Sequence, residues 1–378
     1  MQKYYCSIIV LIALTVAPST NPALAADTAT VVVAAADSSQ QAKQQANLVC
    51  DGNADQQEIN TAIQSLPASG GTVLLMEGNY EIRKVTDTLG GIIIDHNKVT
   101  LAGQGSSTKL KLAANQNTNV LRIIGSGIGH ITIRDLWIDA NRAENSEGRG
   151  DPNVSHARFE FCGIKAFYTF PGGPTGERNH NITIQNCWVL NSQRLGIMLE
   201  GANMKVINNT IGNAGSDAVE ILTGPGEIRG NYFEITGQTH VAVGSDRGDS
   251  IIMANNIVHV KAGGKLDIGF RSWANSLRHV IADNILTVDP GGHCALAMDI
   301  RGTGATVTGN SIHTASTEPT MRLKIAGGAI LLTGNLLENL IIEVNDTTQA
   351  AGQILIQNNL LKNSTINHIN GNYQSTTK

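Results

Sequence analysis

Apolar and polar residues alternate along this chain in short runs, and turns rich in Asn and Gly separate the runs. The stretch NNTIGNAGSDAVEI at positions 208–221 shows the arrangement: two asparagines, a turn bounded by glycine, then a short alternation. The same order returns in GNYFEITGQTHVAV and NNIVHVKAGGKLDIGF. Alternation with period two predicts short strands with one buried face, because successive side chains of a strand point to opposite sides.

The turns recur at a regular interval. The last Asn of each turn gives successive spacings of 23, 22, 25, 28, 26, 25 and 24 residues, counted over Asn186, Asn209, Asn231, Asn256, Asn284, Asn310, Asn335 and Asn359. Helical repeats have about 33 residues or more, and the fixed leucine spacing of leucine-rich repeats is missing. We therefore predict an all-β fold, a single-stranded right-handed parallel β-helix in which each turn of chain adds one strand to each of several sheets.

The repeated asparagines are assigned a structural role at the corners of the coils. Asn tolerates the left-handed backbone conformation that a sharp corner needs. Stacked coil on coil, the side-chain amides can hydrogen-bond to one another, which satisfies polar groups inside the protein. We expect such an internal ladder, with Asp135 of IRDLWIDAN at the same corner of an earlier coil.

The N-terminus has the features of an export signal. A positive MQK start precedes the apolar run YYCSIIVLIALTVA, and Ala-Leu-Ala at 23–25 fits a cleavage site. The run is too short for a membrane anchor, so we expect a secreted protein, extracellular or periplasmic, with no membrane insertion after cleavage. Four cysteines then remain, and the sequence leaves open whether they pair: Cys50, Cys162, Cys187 and Cys294.

One amphipathic helix is predicted near the start of the mature chain. Ile59, Ala62, Ile63 and Leu66 recur at helical spacing until Pro67. This helix is expected to cap the first coil. The predicted division of the chain is a signal peptide over 1–25, a linker over 26–46, the β-helix domain over 47–364 and a tail over 365–378.

Charge and motif content exclude several partners. The formal net charge is −4, and no run of Lys and Arg occurs, which argues against a nucleic-acid partner. No Cys/His spacing is typical of a zinc site, and no Gly-rich phosphate loop joins a strand to a helix. No cofactor is therefore identified. Ca²⁺ stays possible because exported β-helices offer many oxygen ligands, but Asp246 and Asp249 alone do not make a site.

Three segments resemble the pectate-lyase-like right-handed parallel β-helix superfamily. CDGNADQQEINTAIQSLPASGGTVLLMEGNYEI is similar to its N-terminal cap, IRDLWIDANR to a coil with a DGN turn (here with Ala140 in place of Gly), and NSQRLGIMLEGANMKVINNTI to its generic repeat. The resemblance covers about residues 48 to 364 and implies the fold and a polysaccharide or oligosaccharide partner. The superfamily holds lyases, hydrolases, epimerases, fructotransferases and phage tailspikes. The acidic pairs of its polygalacturonases and the Asp-Pro-His-Asp motif of its mannuronan epimerases are absent here.

A candidate site follows from registering the strands of one sheet by their inward apolar pairs, among them Val219/Ile221, Val241/Val243 and Ile268/Phe270. The outward positions then form columns with a floor of Gly and Ala. These columns place His240 beside Asp267 and Arg271 beside Asp299. The predicted catalytic residues are Glu220, His240, Asp267 and Arg271. The predicted substrate-binding residues are Glu200, Asp299 and Arg301, together with Arg142, His156, Glu160 and Arg178 from a long break in the repeat over 141–181.

Two chemistries fit this grouping. In a lyase or epimerase, Arg271 would neutralise a uronate carboxylate while His240, oriented by Asp267, takes a proton from the sugar. In a hydrolase or transferase, Glu220 and Asp267 would be the carboxylate pair. The alternative is a non-catalytic cell-surface or carbohydrate-binding protein with the same face, since charges on an exposed sheet are often only solvated.

Overall fold

The computed structural model describes residues 29–85, 90–145, 161–167, 177–316, 318–345, 353–371 and 373–376. Three sheets run along one axis, and every described pair of neighbouring strands is parallel, as in β22 with β25 (Lys265–Ser272 with His293–Ile300). The sheets are named A, B and C, with the strands given below, and each turn of the chain passes through them in the order C, A, B. The prediction of an all-β parallel β-helix is thereby confirmed.

The strands are numbered in chain order. Sheet A comprises β1 (Ala29–Ala34), β2 (Leu48–Val49), β3 (Gly71–Leu75), β6 (Val99–Ala102), β9 (Gly129–Arg134), β12 (His180–Gln185), the second half of β14 (Ile197–Ile207), β17 (Gly226–Arg229), β20 (Ile251–Ala254), β23 (Val280–Ala282), β26 (Thr306–Thr308), β29 (Leu331–Thr333), β32 (Ile354–Gln357) and β35 (Tyr373–Thr376).

Sheet B comprises β4 (Gly78–Ile82), β7 (Thr108–Leu112), β10 (Trp137–Asp139), β13 (Trp188–Leu190), β15 (Thr210–Gly212), β18 (Tyr232–Ile235), β21 (Ile257–Val260), β24 (Ile285–Val288), β27 (Ser311–Thr314), β30 (Leu336–Glu338) and β33 (Leu360–Lys362). Sheet C comprises β5 (Gly90–Ile94), β8 (Asn119–Ile123), β11 (Ile164–Ala166), the first half of β14, β16 (Asp217–Thr223), β19 (Gln238–Ser245), β22, β25, β28 (Met321–Ile325), β31 (Leu340–Asn345) and β34 (Thr365–Asn370).

The asparagine ladder is present between sheets A and B. The amide Nδ2 of Asn209 donates to Oδ1 of Asn231 at 3.0 Å, and Asn231 donates in the same way to Asn256. The series continues through Asn284, Asn310, Asn335 and Asn359. These side chains are buried, so the ladder replaces the water that they lose.

The residue before each ladder position makes the corner itself. Asn208 and Asn255 have φ of 55°, and Gly230 has φ of 67°, all in the left-handed region that Asn and Gly tolerate best. Asn186 was predicted as a ladder member but has φ of 55° and occupies the corner position. Cys187 takes the ladder position in that coil, and its backbone N–H donates to Asn209 Oδ1.

The N-terminal end differs from the prediction in two ways. The predicted linker contains strand β1 and a short helix α1 (Gln40–Gln45), so there are two helices in the described ranges. Helix α1 carries only one buried residue, Ala42, and therefore has no apolar periodicity in the sequence. The predicted helix is α2 (Gln56–Gln64), which buries Ile59, Ala62 and Ile63 against the first coils, as expected.

Further details complete the fold. Residues predicted as a C-terminal tail form β34 and β35, which extend sheets C and A by one more coil. Short 3₁₀ turns occur at Gly105–Ser107 and Arg142–Glu144. Cys50, Cys162, Cys187 and Cys294 are all buried free thiols. None of the helices that the structure describes has the length and apolarity to cross a bilayer, and the predicted signal peptide lies outside the described residues.

Candidate functional site

The outward face of sheet C carries one column of charged residues. Glu220 pairs in register with Gly244, Gly244 with Arg271, and Arg271 with Asp299. The predicted register between β16 and β19 was wrong by two residues, because Val219 lies opposite Val243 and not opposite Val241. The correction moves Glu220 into the same column as Arg271.

Arg271 is the centre of a group that we call the carboxylate cluster, formed with Asp217, Glu220 and Asp246. Its Nη2 donates to Asp217 Oδ2 at 2.6 Å and to Glu220 Oε1 at 2.9 Å. Its Nε lies 2.9 Å from Asp246 Oδ1, close enough for an ion pair, although the angle is too poor for a hydrogen bond. One guanidinium group therefore contacts three carboxyl groups.

Gly244 makes this reach possible. Coils of the stack are about 4.8 Å apart, so Arg271 must cross a whole coil to contact Glu220. The residue it crosses is Gly244, and a Cβ there would lie 3.5 Å from Arg271 Nη2. The absence of a side chain leaves room for the guanidinium to lie against the sheet.

Burial separates the members of the carboxylate cluster. The side chains of Asp217, Glu220 and Arg271 are 6%, 5% and 7% exposed, whereas that of Asp246 is 28% exposed. Asp246 is thus the member that a molecule arriving from solvent can reach first. The other three lie in a site with little water, where electrostatic interactions are strong.

The cluster favours the protonated form of Glu220. Burial, followed by the charges of Asp217 and Asp246, raises the pKa of Glu220 well above its ordinary value. Burial also raises the pKa of Asp246, and Arg271 opposes that rise. Burial alone would lower the pKa of Arg271, but the three carboxyl groups hold it above its usual range. The interaction between the Glu220 and Asp246 side chains acts on the two groups in opposite directions, since it adds to the rise in the pKa of Glu220 and opposes the rise in that of Asp246.

A second pair extends the column toward β25. Asp299 is fully buried and accepts two bonds from Arg301 Nε at 3.0 Å and one from its Nη2 at 2.8 Å. The Arg301 guanidinium lies 3.8 Å from the ring centroid of Trp273, and that of Arg271 lies 5.4 Å from it. Both guanidinium groups therefore lie within cation–π distance of the Trp273 ring.

His240 and Asp267 form a separate pair on the same face. The register places them side by side, as predicted, and His240 Nδ1 lies 2.9 Å from Asp267 Oδ2. Each side chain is about half exposed. Asp267 precedes Arg271 by four residues on one strand, a separation of about 13 Å at 3.3 Å per residue. The pair and the carboxylate cluster are therefore two separate groups, and the prediction of a single group was wrong.

The remaining predicted residues are distributed around the site. Glu200 is buried, with Oε1 3.8 Å from Arg247 Nη2. Arg178 Nη2 donates to the carbonyl oxygens of Gly201 at 3.3 Å and Gly224 at 2.7 Å.

Other predicted positions lie away from this site or outside the description. Arg142 contacts the carbonyl oxygens of Asn213 and Gln238 at a different corner of the coil. His156 and Glu160 lie outside the described residues.

A cleft of about 550 Å³ opens beside the carboxylate cluster, at the end of β16. It is lined by Arg178, Arg247 and Asp249, with Thr223, Gly224 and Pro225 among the residues beneath them. Asp246 directly precedes Arg247 in the chain, so the lining begins one residue after the carboxylate cluster, although no member of the cluster lines the cleft itself.

Several residues of the chain offer possible metal ligands. Asp246 is paired with Arg271 and Asp249 with Arg278, so each carboxyl group already has an arginine partner. Cys50, Asp55 and Glu58 offer ligand atoms within 4.8 Å of one another at the N-terminal cap. Both Asp55 carboxylate oxygens already accept backbone N–H groups, at 2.8 Å each.

Sequence reasoning missed several members of the site. Asp217 and Asp246 lie just outside the strand core that the alternation identifies, and Trp273 follows its strand directly. Lys165 is fully buried on β11, with Nζ 5.0 Å from the ring centroid of Phe167. A charged residue in an otherwise apolar strand such as GIKAF was the available signal for Lys165.

Neither a known family profile nor a curated protein sequence matches the chain. Solved structures do: DFA-IIIase from Arthrobacter chlorophenolicus A6 in complex with GF2 gives a TM-score of 0.55 at 14% identity, over 82% of each chain. The catalytic domain of a GH87 alpha-1,3-glucanase in complex with tetrasaccharides gives 0.53 at 13% identity, over 84% of this chain and 66% of that one. The Azotobacter vinelandii mannuronan C-5 epimerase AlgE6 A-module gives 0.51 at 19% identity, over 85% and 94%. Likeness at these identities establishes the fold, a parallel β-helix.

Proposed function

We propose that this protein is a secreted carbohydrate-active enzyme that breaks or transfers glycosidic bonds of a polysaccharide by carboxyl-group acid/base chemistry. The observation that carries the proposal is the grouping of two carboxyl groups on Arg271 near an open cleft: buried Glu220, whose pKa is raised, and the more exposed Asp246. Paired carboxyl groups whose environments favour different protonation states are typical of acid/base sites. The three structural neighbours are proteins that act on sugars, which fits the proposal.

Each carboxyl group has a defined task in this scheme. Glu220, whose pKa is raised, supplies the proton, which passes through Asp246, the exposed partner, to the leaving glycosidic oxygen, and the water or hydroxyl that attacks the anomeric carbon returns a proton to the pair. Asp217 stays in contact with Arg271 and balances its charge. Proton transfer by positioned side chains contributes about 10²- to 10⁴-fold to a rate.

Arg271 does not fit the role of a carboxylate-binding residue for substrate. Its guanidinium already contacts three carboxyl groups, and its side chain is 7% exposed. Asp267 does not fit the role of partner to Glu220, because it lies about 13 Å along β22 from Arg271, whereas Arg271 contacts both Glu220 and Asp246. Hydrolysis or transfer through Glu220 and Asp246 is therefore favoured over the lyase or epimerase scheme.

The test compares variants of the two outward groups on the same substrate. A polysaccharide panel is screened with purified protein, and both new reducing ends and unsaturated products are measured. On any substrate that is cleaved, Glu220→Gln and Asp246→Asn should each lower turnover about 10²- to 10⁴-fold. His240→Ala should retain most of the activity.

Two outcomes contradict the proposal. Full turnover in both carboxyl variants removes the carboxylate cluster from the chemistry. Unsaturated products that are lost only in His240→Ala would assign a lyase reaction to the His240–Asp267 pair instead.

A further inference from the structure

We propose that the cleft beside the carboxylate cluster is a subsite for a sugar carboxylate, so that the substrate is an acidic, uronate-containing glycan. This inference deepens the proposed function and rests on it for the location of the reacting bond. Two arginines and one aspartate are the charged residues that line the cleft, so the lining carries a formal net charge of +1.

Arg178 is the first element of the subsite. Within the ranges that the structure describes, its guanidinium contacts two backbone carbonyls, those of Gly201 and Gly224, and no carboxylate. These two bonds fix the group against the cleft wall and leave its positive charge without a counter-ion. A guanidinium presents a planar fork of donors that matches a carboxylate.

Arg247 is the second element. Its side chain is 54% exposed and lies 3.8 Å from Glu200, a distance at which the two charges attract but form no hydrogen bond. The donors of Arg247 thus remain open toward the cleft. Asp249 is the one acidic residue of the lining. It forms an ion pair with Arg278, which does not line the cleft, and this pair balances its charge.

The shape of the cleft floor supports a ligand that lies close to the backbone. Gly224 has φ of 146°, and a Cβ at this position would lie 2.3 Å from the carbonyl oxygen of Asp249. A side chain is therefore excluded, and the floor stays flat. Thr223 follows Glu220 by three residues, so the floor lies about 10 Å along β16 from the proton-holding carboxyl.

The arrangement also explains why Arg271 has no free donor for the substrate. The protein separates two kinds of arginine on one face: Arg271 holds the reacting carboxyl groups, while Arg178 and Arg247 remain open to an anion. A neutral glycan would leave Arg178 without an ionic partner and Arg247 with only its 3.8 Å contact to Glu200. A uronate would supply that partner.

The experiment measures binding by calorimetry on Glu220→Gln protein, so that turnover does not enter. The ligands are an oligogalacturonate, its carboxyl-reduced neutral form and a sulfated oligosaccharide without carboxylates. Arg178→Gln and Arg247→Gln should each weaken oligogalacturonate binding roughly 10- to 100-fold, as expected for lost charge-assisted hydrogen bonds. The matched control is Arg229→Gln, which removes an exposed arginine from sheet A and should change nothing.

Three results would overturn the subsite. They are equal affinity for the acidic and reduced ligands, preference for the sulfated ligand, and unchanged affinity in both arginine variants. Each concerns binding alone. Failure of the proposed function appears elsewhere, as full turnover in Glu220→Gln, and is thereby distinguishable from failure of this inference.

Discussion

Arg271 and Glu220 are two coils apart, yet Nη2 of Arg271 lies 2.9 Å from Oε1 of Glu220. The side chain spans the intervening coil at Gly244. Contacts in a β-helix usually link neighbouring coils, so this one ties three coils together through a single side chain. The positive charge of Arg271 also offsets part of the negative charge of the three carboxyl groups.

Removal of Arg271 should therefore be severely destabilising. Arg271→Met removes the positive charge that three carboxyl groups contact. Breaking a buried ion pair in this way costs about 3–5 kcal/mol of the free energy of unfolding. Urea unfolding followed by circular dichroism measures the loss. Arg278→Met is the control, since it removes an exposed partner of Asp249 and should cost at most about 1 kcal/mol. Equal losses in the two variants would contradict the central role of Arg271.

Glu220 should make stability depend on pH in a defined direction. Its pKa is raised in the folded protein, so the folded state binds more protons than the unfolded state once the pH exceeds the ordinary value of 4.5. The free energy of unfolding then falls as the pH rises toward the folded pKa. Glu220→Gln removes this titration, so the variant should gain stability relative to the parent across the same window. A difference in unfolding free energy between variant and parent that stays the same at every pH would show that folding does not raise the pKa of Glu220.

The asparagine ladder should carry measurable stability. Asn231→Ala removes an amide that donates to Asn256 Oδ1 at 3.0 Å and accepts from Asn209, which leaves buried polar partners unsatisfied. The expected loss is about 1–3 kcal/mol of unfolding free energy. Asn367→Ala is the matched control, because Asn367 is exposed on β34 and should change stability by no more than about 0.5 kcal/mol. A thermal melt of Asn231→Ala that coincides with the parent's would show the ladder to be dispensable.

Gly244 offers a test of the spacing without a change of charge. In Gly244→Ala the new Cβ would lie 3.5 Å from Arg271 Nη2 and 3.3 Å from Val241 Cγ1, a tight fit that small shifts accommodate. Gly244→Leu has no such room and should displace Arg271 from Glu220. We expect near-parent turnover for the alanine variant and a loss of at least about 10²-fold for the leucine variant, within the range for misplaced acid/base groups. Similar activity in both would mean that Arg271 does not need the space.

The fold was largely predictable because its signals repeat. The period of the Asn turns and the alternation between them each occur in many coils, so one irregular coil changes nothing. Helix α1 escaped detection because a helix with one buried residue, Ala42, has no apolar stripe. The same argument applies to β1, since one strand before the first repeat cannot show a period.

The site was predicted only in part, for a physical reason that lies in the strand period. A slip of one residue would have exposed Val219 and buried its neighbours, but a slip of two preserves the alternation. The sequence therefore could not distinguish pairing of Val219 with Val241 from the pairing with Val243 that the structure shows. The pairings of β19 with β22 and of β22 with β25 were registered correctly, which is why His240 and Asp267 meet as predicted while Glu220 moved to Arg271.

The ladder amides also give the stack an electrical direction. In every link the Nδ2 of the earlier Asn donates to the Oδ1 of the later one, so all the amide oxygens, from Asn209 to Asn359, face the N-terminal end. Their dipoles add along the axis and polarise one another. Turning one amide round would break the bonds on both of its sides, so the array can reverse only as a whole. The ladder is thereby polar, with the negative end of its amide dipoles toward the N-terminal side of the stack.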